Sequence, residues 1–317
     1  MNDDPRPCNS WGNGAAIRKS PLGLLAGQAL LFSRPTLFIL NTLSAHSSGH
    51  AQTEPFAPAM QFATWNVNSL NIRLPQVLDW LAANPVDVLA LQELKMADDK
   101  FPHEAFREAG WQAVWHGQKT YNGVALISRE PARDVVKNNP LFADDHARLI
   151  AGTFGEGANS TRVIGGYFPN GQAPDSDKFV YKMAWLQALR EWVQGEMAQH
   201  QRFLIMGDYN ITFDARDTYD PTSLEGTIHC TEAEREHLRA LIDLGLHDSL
   251  RVFNDAPKTY TWWDYRNLAF RKNQGYRIDH ILVSDALKAV ATDCVVDKAP
   301  RKNERPSDHT PVVLTVA

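Results

Sequence analysis

Short apolar runs separated by stretches of helical periodicity limit what this chain can fold into. The runs are Val86 to Gln92, Gly123 to Ser128, Arg162 to Phe168, Arg202 to Gly207, Ile278 to Ser284 and Pro311 to Val316. Each reads as a buried strand bounded by turn-forming residues. Between them Leu74, Val77, Leu78 and Leu81 recur at helical spacing, and so do Trp185, Leu186, Leu189, Val193 and Met197. Thr231 and Glu234 form a capping-box pair ahead of Leu238, Leu241 and Leu244, with Gly245 as a stop. This alternation predicts an α/β protein with one core over residues 60–317, Met60 opening the first strand.

Composition narrows the function classes. The 317 residues are 44% hydrophobic and 22% charged, an ordinary globular balance. A net charge of −5 excludes a uniformly basic nucleic-acid coat but leaves room for a local basic cleft. Cys8, Cys230 and Cys294 are too few and too scattered for a disulfide framework or a zinc site. That usage fits a reducing compartment and a cytoplasmic protein. Residues 1–59 differ from the rest. They read as a disordered extension, or as the product of a start upstream of the true domain. An export signal is the alternative, because Arg18 and Lys19 precede apolar residues and Gly49-His50-Ala51 is a tolerable cleavage site. The stretch Leu22 to Leu43 is broken by Arg34-Pro35, which argues against a membrane span.

Several apolar runs end in polar groups. FLIMGDYNI carries Asp208 and Asn210, YRIDHILVS carries Asp279, and RPSDHTPVV carries Asp308 and His309. Upstream, TWNVNSL supplies Asn66 and LALQELK supplies Glu93. Strand ends are where α/β sites are built. Hard oxygens with one imidazole suit Mg²⁺ or Mn²⁺ and the metal-assisted hydrolysis of a phosphate ester. Each residue also has an ordinary reading. Asp208 and Asn210 could form an Asx turn, Glu93 a salt bridge to Lys95, and Asn66 a cap or turn. His309 could be a satisfied surface histidine. Tyr167, ahead of a Pro-Asn-Gly turn, could donate to a phosphate or simply pack. YTWWDYR interleaves aromatics with Arg266, a mix that stacks on bases and contacts phosphates; core packing is the alternative for one or both tryptophans.

The ordered set, together with QKTYNGVALIS, KFVYK and TYTWWDYR, resembles the exonuclease III family, the family-1 AP endonucleases of the endonuclease/exonuclease/phosphatase superfamily. The resemblance covers residues 60–317. It implies a four-layer α/β sandwich of two packed mixed sheets flanked by helices, and Mg²⁺-dependent hydrolysis of DNA phosphodiesters, Mn²⁺ being the substitute ion. It implies Glu93 as the main metal ligand, helped by Asn66 and Asp308. Asp208 would activate or align the water. Asn210 and His309 would clamp the phosphate, Asp279 would orient His309, and Tyr167 would donate to the phosphate. Trp262 and Arg266 would face DNA. Lys119, Lys178, Lys182, Arg301, Lys302 and Arg305 would line a backbone track. The implied partner is double-stranded DNA with abasic sites or 3′ ends, met by a monomer away from membranes. His229 lies in the segment that borders the sugar pocket in that family. A bulky ring there leans the expectation toward 3′-end processing over internal abasic-site incision.

Overall fold

The computed structural model describes residues 59–317; the expectations for residues 1–58 lie outside that range. Twelve strands are described: β1 (Met60–Asn66), β2 (Val88–Gln92), β3 (Gln112–His116), β4 (Val124–Ser128), β5 (Arg133–Lys137), β6 (Leu149–Phe154), β7 (Thr161–Tyr167), β8 (Phe203–Asp208), β9 (Leu246–Asp248), β10 (Asp279–Ser284), β11 (Ala291–Val296) and β12 (Val312–Val316). They form two six-stranded sheets, ordered β11-β12-β1-β2-β4-β3 and β5-β6-β7-β8-β10-β9. Each sheet holds one parallel pair, β1 with β2 and β7 with β8, among antiparallel neighbours. A helix makes each parallel crossover, Leu70–Ala83 in the first sheet and Asp177–Gln199 in the second.

Side-chain alternation along the strands builds the layers. Phe62, Val88 and Ala90 of the first sheet meet Val163, Leu204, Met206, Ile281 and Val283 of the second in a buried layer between the sheets. The odd neighbours Ala63, Trp65, Leu89 and Leu91 face outward onto the helix Leu70–Ala83. Ile164, Phe203, Ile205 and Leu282 face outward onto the helices Asp177–Gln199 and Glu232–Ile242. The result is helix, sheet, sheet, helix, the expected four-layer α/β sandwich. The central strands have to be apolar on both faces, which is why their sequences show no polar alternation.

Two local features let the layers approach. A Cβ at Gly207 would lie 1.9 Å from the Gly166 carbonyl oxygen, so β7 and β8 can pair closely only with glycine there. The capping box at Thr231 is complete: its hydroxyl accepts the Glu234 N–H and the Glu234 side chain accepts from the Thr231 backbone. Among the described residues no helix is long and apolar enough to cross a membrane.

Candidate active site

The site is the polar end of the layer between the sheets. Reading along one strand face, β1 gives Phe62, Thr64 and Asn66, and β2 gives Val88, Ala90 and Gln92. On the second sheet β7 gives Val163, Gly165 and Tyr167, β8 gives Leu204, Met206 and Asp208, and β10 enters at Asp279 ahead of Ile281. Register fixes the alignment: Asp208 lies opposite both Tyr167 and Asp279. Each face thus passes from apolar to polar at the same end of the molecule, and Glu93 follows directly on Gln92.

The groups converge in space. The Asn66 amide donates to Glu93 Oε1 and to Asp208 Oδ2, both at 2.9 Å, bridging the two sheets. The Asn210 N–H donates to Asp208 Oδ1 at 2.9 Å, and its amide reaches the Phe168 carbonyl at 3.0 Å. His309 Nδ1 lies 2.9 Å from Asp279 Oδ2, while its Nε2 is 3.7 Å from Asp208 Oδ2. The Nδ1–H therefore donates to Asp279, leaving Nε2–H pointed at the site centre. Asp308 accepts from the Trp262 indole and the Asn68 amide, both at 3.0 Å.

Burial sets the electrostatics. It drives the Asp208 carboxyl well above the usual carboxylate range, with Asp279 and Glu93 pushing the same way against His309. Burial opposes charge on His309, but Asp279 and Asp208 outweigh it and hold the imidazole above its ordinary value, protonated at neutral pH. The Tyr167 phenol is pushed well up by burial, reinforced by Glu93 and Asp208, so it remains a donor. Burial also opposes ionisation of Asp308, yet His309, Trp262 and Asn68 keep its carboxyl below the ordinary value.

The donor set fits a divalent cation. Oxygens of Glu93 and Asp208 lie within 4.8 Å of one another and of the His309 imidazole, which as a cation supplies charge and an N–H beside the ion rather than a ligand atom. Around them four carboxylates, Glu93, Asp208, Asp279 and Asp308, face two cations, Lys95 and His309. Taking all six as charged leaves an excess of two negative charges in a largely buried pocket, which one divalent ion would neutralise.

The ordinary readings turn out to coexist with this arrangement. The Asp208–Asn210 Asx turn is present, and it is what swings the Asn210 amide back toward Asp208. Asn66 holds the Asn68 N–H in a similar turn. Lys95 does pair with Glu93, at 2.8 Å, and it also donates to the Asn68 carbonyl oxygen of the side chain. Trp263 is a core residue, whereas Trp262 stacks on Tyr276 at 5.3 Å beside Asp308. Asn68, Glu93, Lys95, Asn210 and His229 all adopt positive φ, between 43° and 73°, a conformation non-glycine residues rarely take and one that clusters at functional sites.

Two expectations need correction. Lys182 is fully buried against Glu234 and lines no surface track. Arg301 is buried over Phe270 and donates to the Ser307 carbonyl, also away from any track. Asp308 accepts from Trp262 and Asn68, one bond on each oxygen, beside the group Glu93, Asp208 and His309. Lys178 lines a cleft of about 560 Å³ next to Tyr167 and Asn170, and Lys119, Lys302 and Arg305 are exposed. Arg266 is exposed and folded onto Asp264 at 2.6 Å. The sequence reading passed over Asn68 and Asn170, and gave Lys95 only as a salt-bridge partner of Glu93. The signal for Asn68 and Asn170 was a second amide beside each motif, in Asn66-Val67-Asn68 and Pro169-Asn170-Gly171.

Residues 63–309 match the Endonuclease/Exonuclease/phosphatase family. The chain belongs to this family. Within it the chain is 33% identical to exodeoxyribonuclease III of Haemophilus influenzae over 270 residues, 80% of this chain and 98% of that protein. Among solved structures it is 49% identical to the 3′ phosphatase NExo from Neisseria bound to a product DNA hairpin, with a TM-score of 0.79 over 81% of this chain and 99% of the other. It is 35% identical to an AP endonuclease from Archaeoglobus fulgidus, with a TM-score of 0.77 over the same share of this chain and 99% of that one. Membership makes this family protein a hydrolytic phosphodiesterase of the exonuclease III type.

Proposed function

We propose that the protein is a Mg²⁺-dependent DNA repair hydrolase that processes 3′ ends, as 3′–5′ exonuclease and 3′-phosphatase, in preference to incising internal abasic sites. Mn²⁺ is the expected substitute ion. The reading rests on His229. Its Nδ1 lies 2.6 Å from the Asn210 carbonyl, so that nitrogen carries the proton, and Nε2 is 3.5 Å from the Asn170 amide. The ring centroid is 6.2 Å from Tyr276, which stacks on Trp262. An imidazole is thereby fixed in the wall between the phosphate-binding residues and the aromatic pair. It sits at φ 73°, a backbone conformation that glycine would take without strain. A rigid ring there crowds a nucleotide whose backbone continues on both sides. A 3′ terminus continues on one side only and still enters. Similarity to the Neisseria 3′ phosphatase, at 49% identity, supports this reading more than similarity to the Archaeoglobus AP endonuclease, at 35%.

In this reading Asn210, Tyr167 and the protonated His309 donate to the phosphate oxygens, and Asp279 keeps His309 in its charged, oriented form. Asp208 aligns the attacking water and takes its proton as the new P–O bond forms and the bond to the leaving oxygen breaks. Glu93, with Asn66, would hold the ion, which when bound supplies Lewis-acid polarisation of the phosphoryl group. Residues 60–317 contain every one of these groups and are proposed as the catalytic domain. The deciding experiment is His229→Gly assayed on two duplexes, one with an internal abasic site and one with a 3′-phosphate end. A selective gain on the abasic substrate is expected. Efficient abasic-site incision by the wild-type protein would end the reading.

A further inference from the structure

We propose that the buried Lys182–Glu234 ion pair is a positioning device for the phosphate-binding loops, acting on the backbone carbonyls of Asn170 and Asn210. Lys182 lies on the helix Asp177–Gln199 and Glu234 at the third position of the helix Glu232–Ile242; both side chains are fully buried. Lys182 Nζ donates to the Asn210 carbonyl at 2.8 Å, to the Asn170 carbonyl at 3.1 Å and to Glu234 Oε1 at 2.6 Å. All three ammonium protons are thus used, two of them on the backbone of residues that form the site.

Glu234 is equally committed. Its Oε1 also accepts the His229 N–H at 3.2 Å, and its Oε2 accepts from the Thr231 N–H and hydroxyl. The pair therefore ties together the turn after β7, the turn after β8, and the segment carrying His229. Those turns are the ones that need tying. Asn210 and His229 hold positive φ, and the Asn170 amide reaches Asn210 Oδ1 at 3.2 Å only while both backbones stay in place. The lysine stem also packs under the first turn: a Cβ at Gly171 would come within 3.0 Å of Lys182 Cδ.

A buried ion pair of this kind returns little net stability, because desolvation offsets the attraction. What it supplies is direction. Two fixed donors aimed at the two turns, with the third proton anchored on Glu234, hold the donor groups of the phosphate site within the tolerance that in-line attack requires. Lys182 touches neither substrate nor ion, so it is a positioning residue.

The inference rests on Asn210 contacting the scissile phosphate, and the test separates the two ideas. Two double variants of the full chain, Lys182→Met/Glu234→Gln and Lys182→Gln/Glu234→Gln, both remove the charge pair together. They differ in that glutamine keeps two N–H donors on a stem one bond shorter, while methionine keeps none. Thermal midpoint, and kcat and KM on a duplex with a 3′-phosphate end, are measured for each. The methionine variant is expected to stay folded and lose kcat by about a hundredfold, the scale of a one-ångström misplacement. The glutamine variant is expected to recover a large part of that loss with no matching change in thermal midpoint. Equal turnover in the two variants, or a loss of turnover that simply tracks loss of folded protein, overturns the proposal. Asn210→Ala is the control: if it turns over normally, the phosphate assignment itself is wrong.

Discussion

Two buried charge clusters sit on opposite faces of β10, and they are built to different rules. Asp279 points between the sheets, toward Asp208 and His309. Its neighbour His280 points to the outer face, where Arg277 pairs with Asp217 through two hydrogen bonds of 2.7 and 2.8 Å, and lies 2.7 Å from Asp248. Arg251 also reaches Asp217, at 2.5 Å. The outer cluster balances two carboxylates with two guanidinium groups. Asp217 shows the result: burial opposes its charge, but Arg277 dominates and holds the carboxyl down at about 2. The inner cluster carries more carboxylates than cations, and there burial drives Asp208 up instead. A charge-balanced cluster needs no ion from outside. An unbalanced one calls for a cation from outside, which is the mark of a working site.

That contrast can be broken by substitution. Asp208→Ala should abolish turnover, by about 10³-fold or more, with little loss of DNA binding, because a group that aligns the water acts mainly in the transition state. Folding should hold, since the change removes one member of an over-acidic set. Near-normal turnover of the purified variant would sink the assignment. Asp217→Asn should do the reverse. It leaves Arg277 and Arg251 facing the single remaining carboxylate of Asp248 and should cost about 3–5 kcal/mol of stability. Turnover per folded molecule should stay within about twofold, as the cluster makes no transition-state contact. Denaturant melts with active-site titration check this. A specific loss of kcat with unchanged stability would show that the outer cluster belongs to the catalytic machinery.

The two clusters were not equally legible in the sequence. Asn66, Asp208 and Asp279 each interrupt an apolar strand at the right period, so the change in polarity marks them. Asp217, Asp248 and Arg277 lie in irregular segments or at the ends of short elements, and no local pattern joins Asp217 to Arg277 sixty residues later. The same physics divides the strands. β2, β4, β7, β8, β10 and β12 were read, within a residue or two, because they are apolar on both faces. The four sheet edges, β3, β5, β9 and β11, were missed because solvent breaks the pattern. β6 was missed although buried, because Ala151 and Gly152 dilute its apolar signal. Lys182 was misplaced for a different reason. Charge suggested surface, yet Lys182 shares helical spacing with Trp185, Leu186 and Leu189, and that periodicity put it in the core.

The smallest expected effect separates the clusters by pH. The inner histidine is held charged, whereas the outer one is held neutral. Burial and the nearby Arg277 guanidinium push His280 down to about 4. Its Nδ1 lies 3.0 Å from Arg277, a donor, so that nitrogen must accept, and its Nε2–H donates to the Ile211 carbonyl at 2.9 Å. The sign follows from proton counting. Between the unfolded value of about 6.5 and the folded value, the unfolded chain binds a proton that the native protein does not, so stability rises with pH across that window. The contribution is complete above pH 6.5 and is lost progressively as pH falls toward 4. His229, also held down by burial at about 4, contributes in the same direction. His280→Gln keeps a donor for Ile211 and an acceptor for Arg277 but cannot titrate. Denaturant melts from pH 7 to pH 4 should therefore show a shallower loss of stability in the variant than in the wild-type protein, the remaining slope including the His229 share. Parallel slopes would mean that His280 takes its proton as readily in the native protein as in the unfolded chain, and that the outer cluster is not the charge-balanced unit its geometry describes.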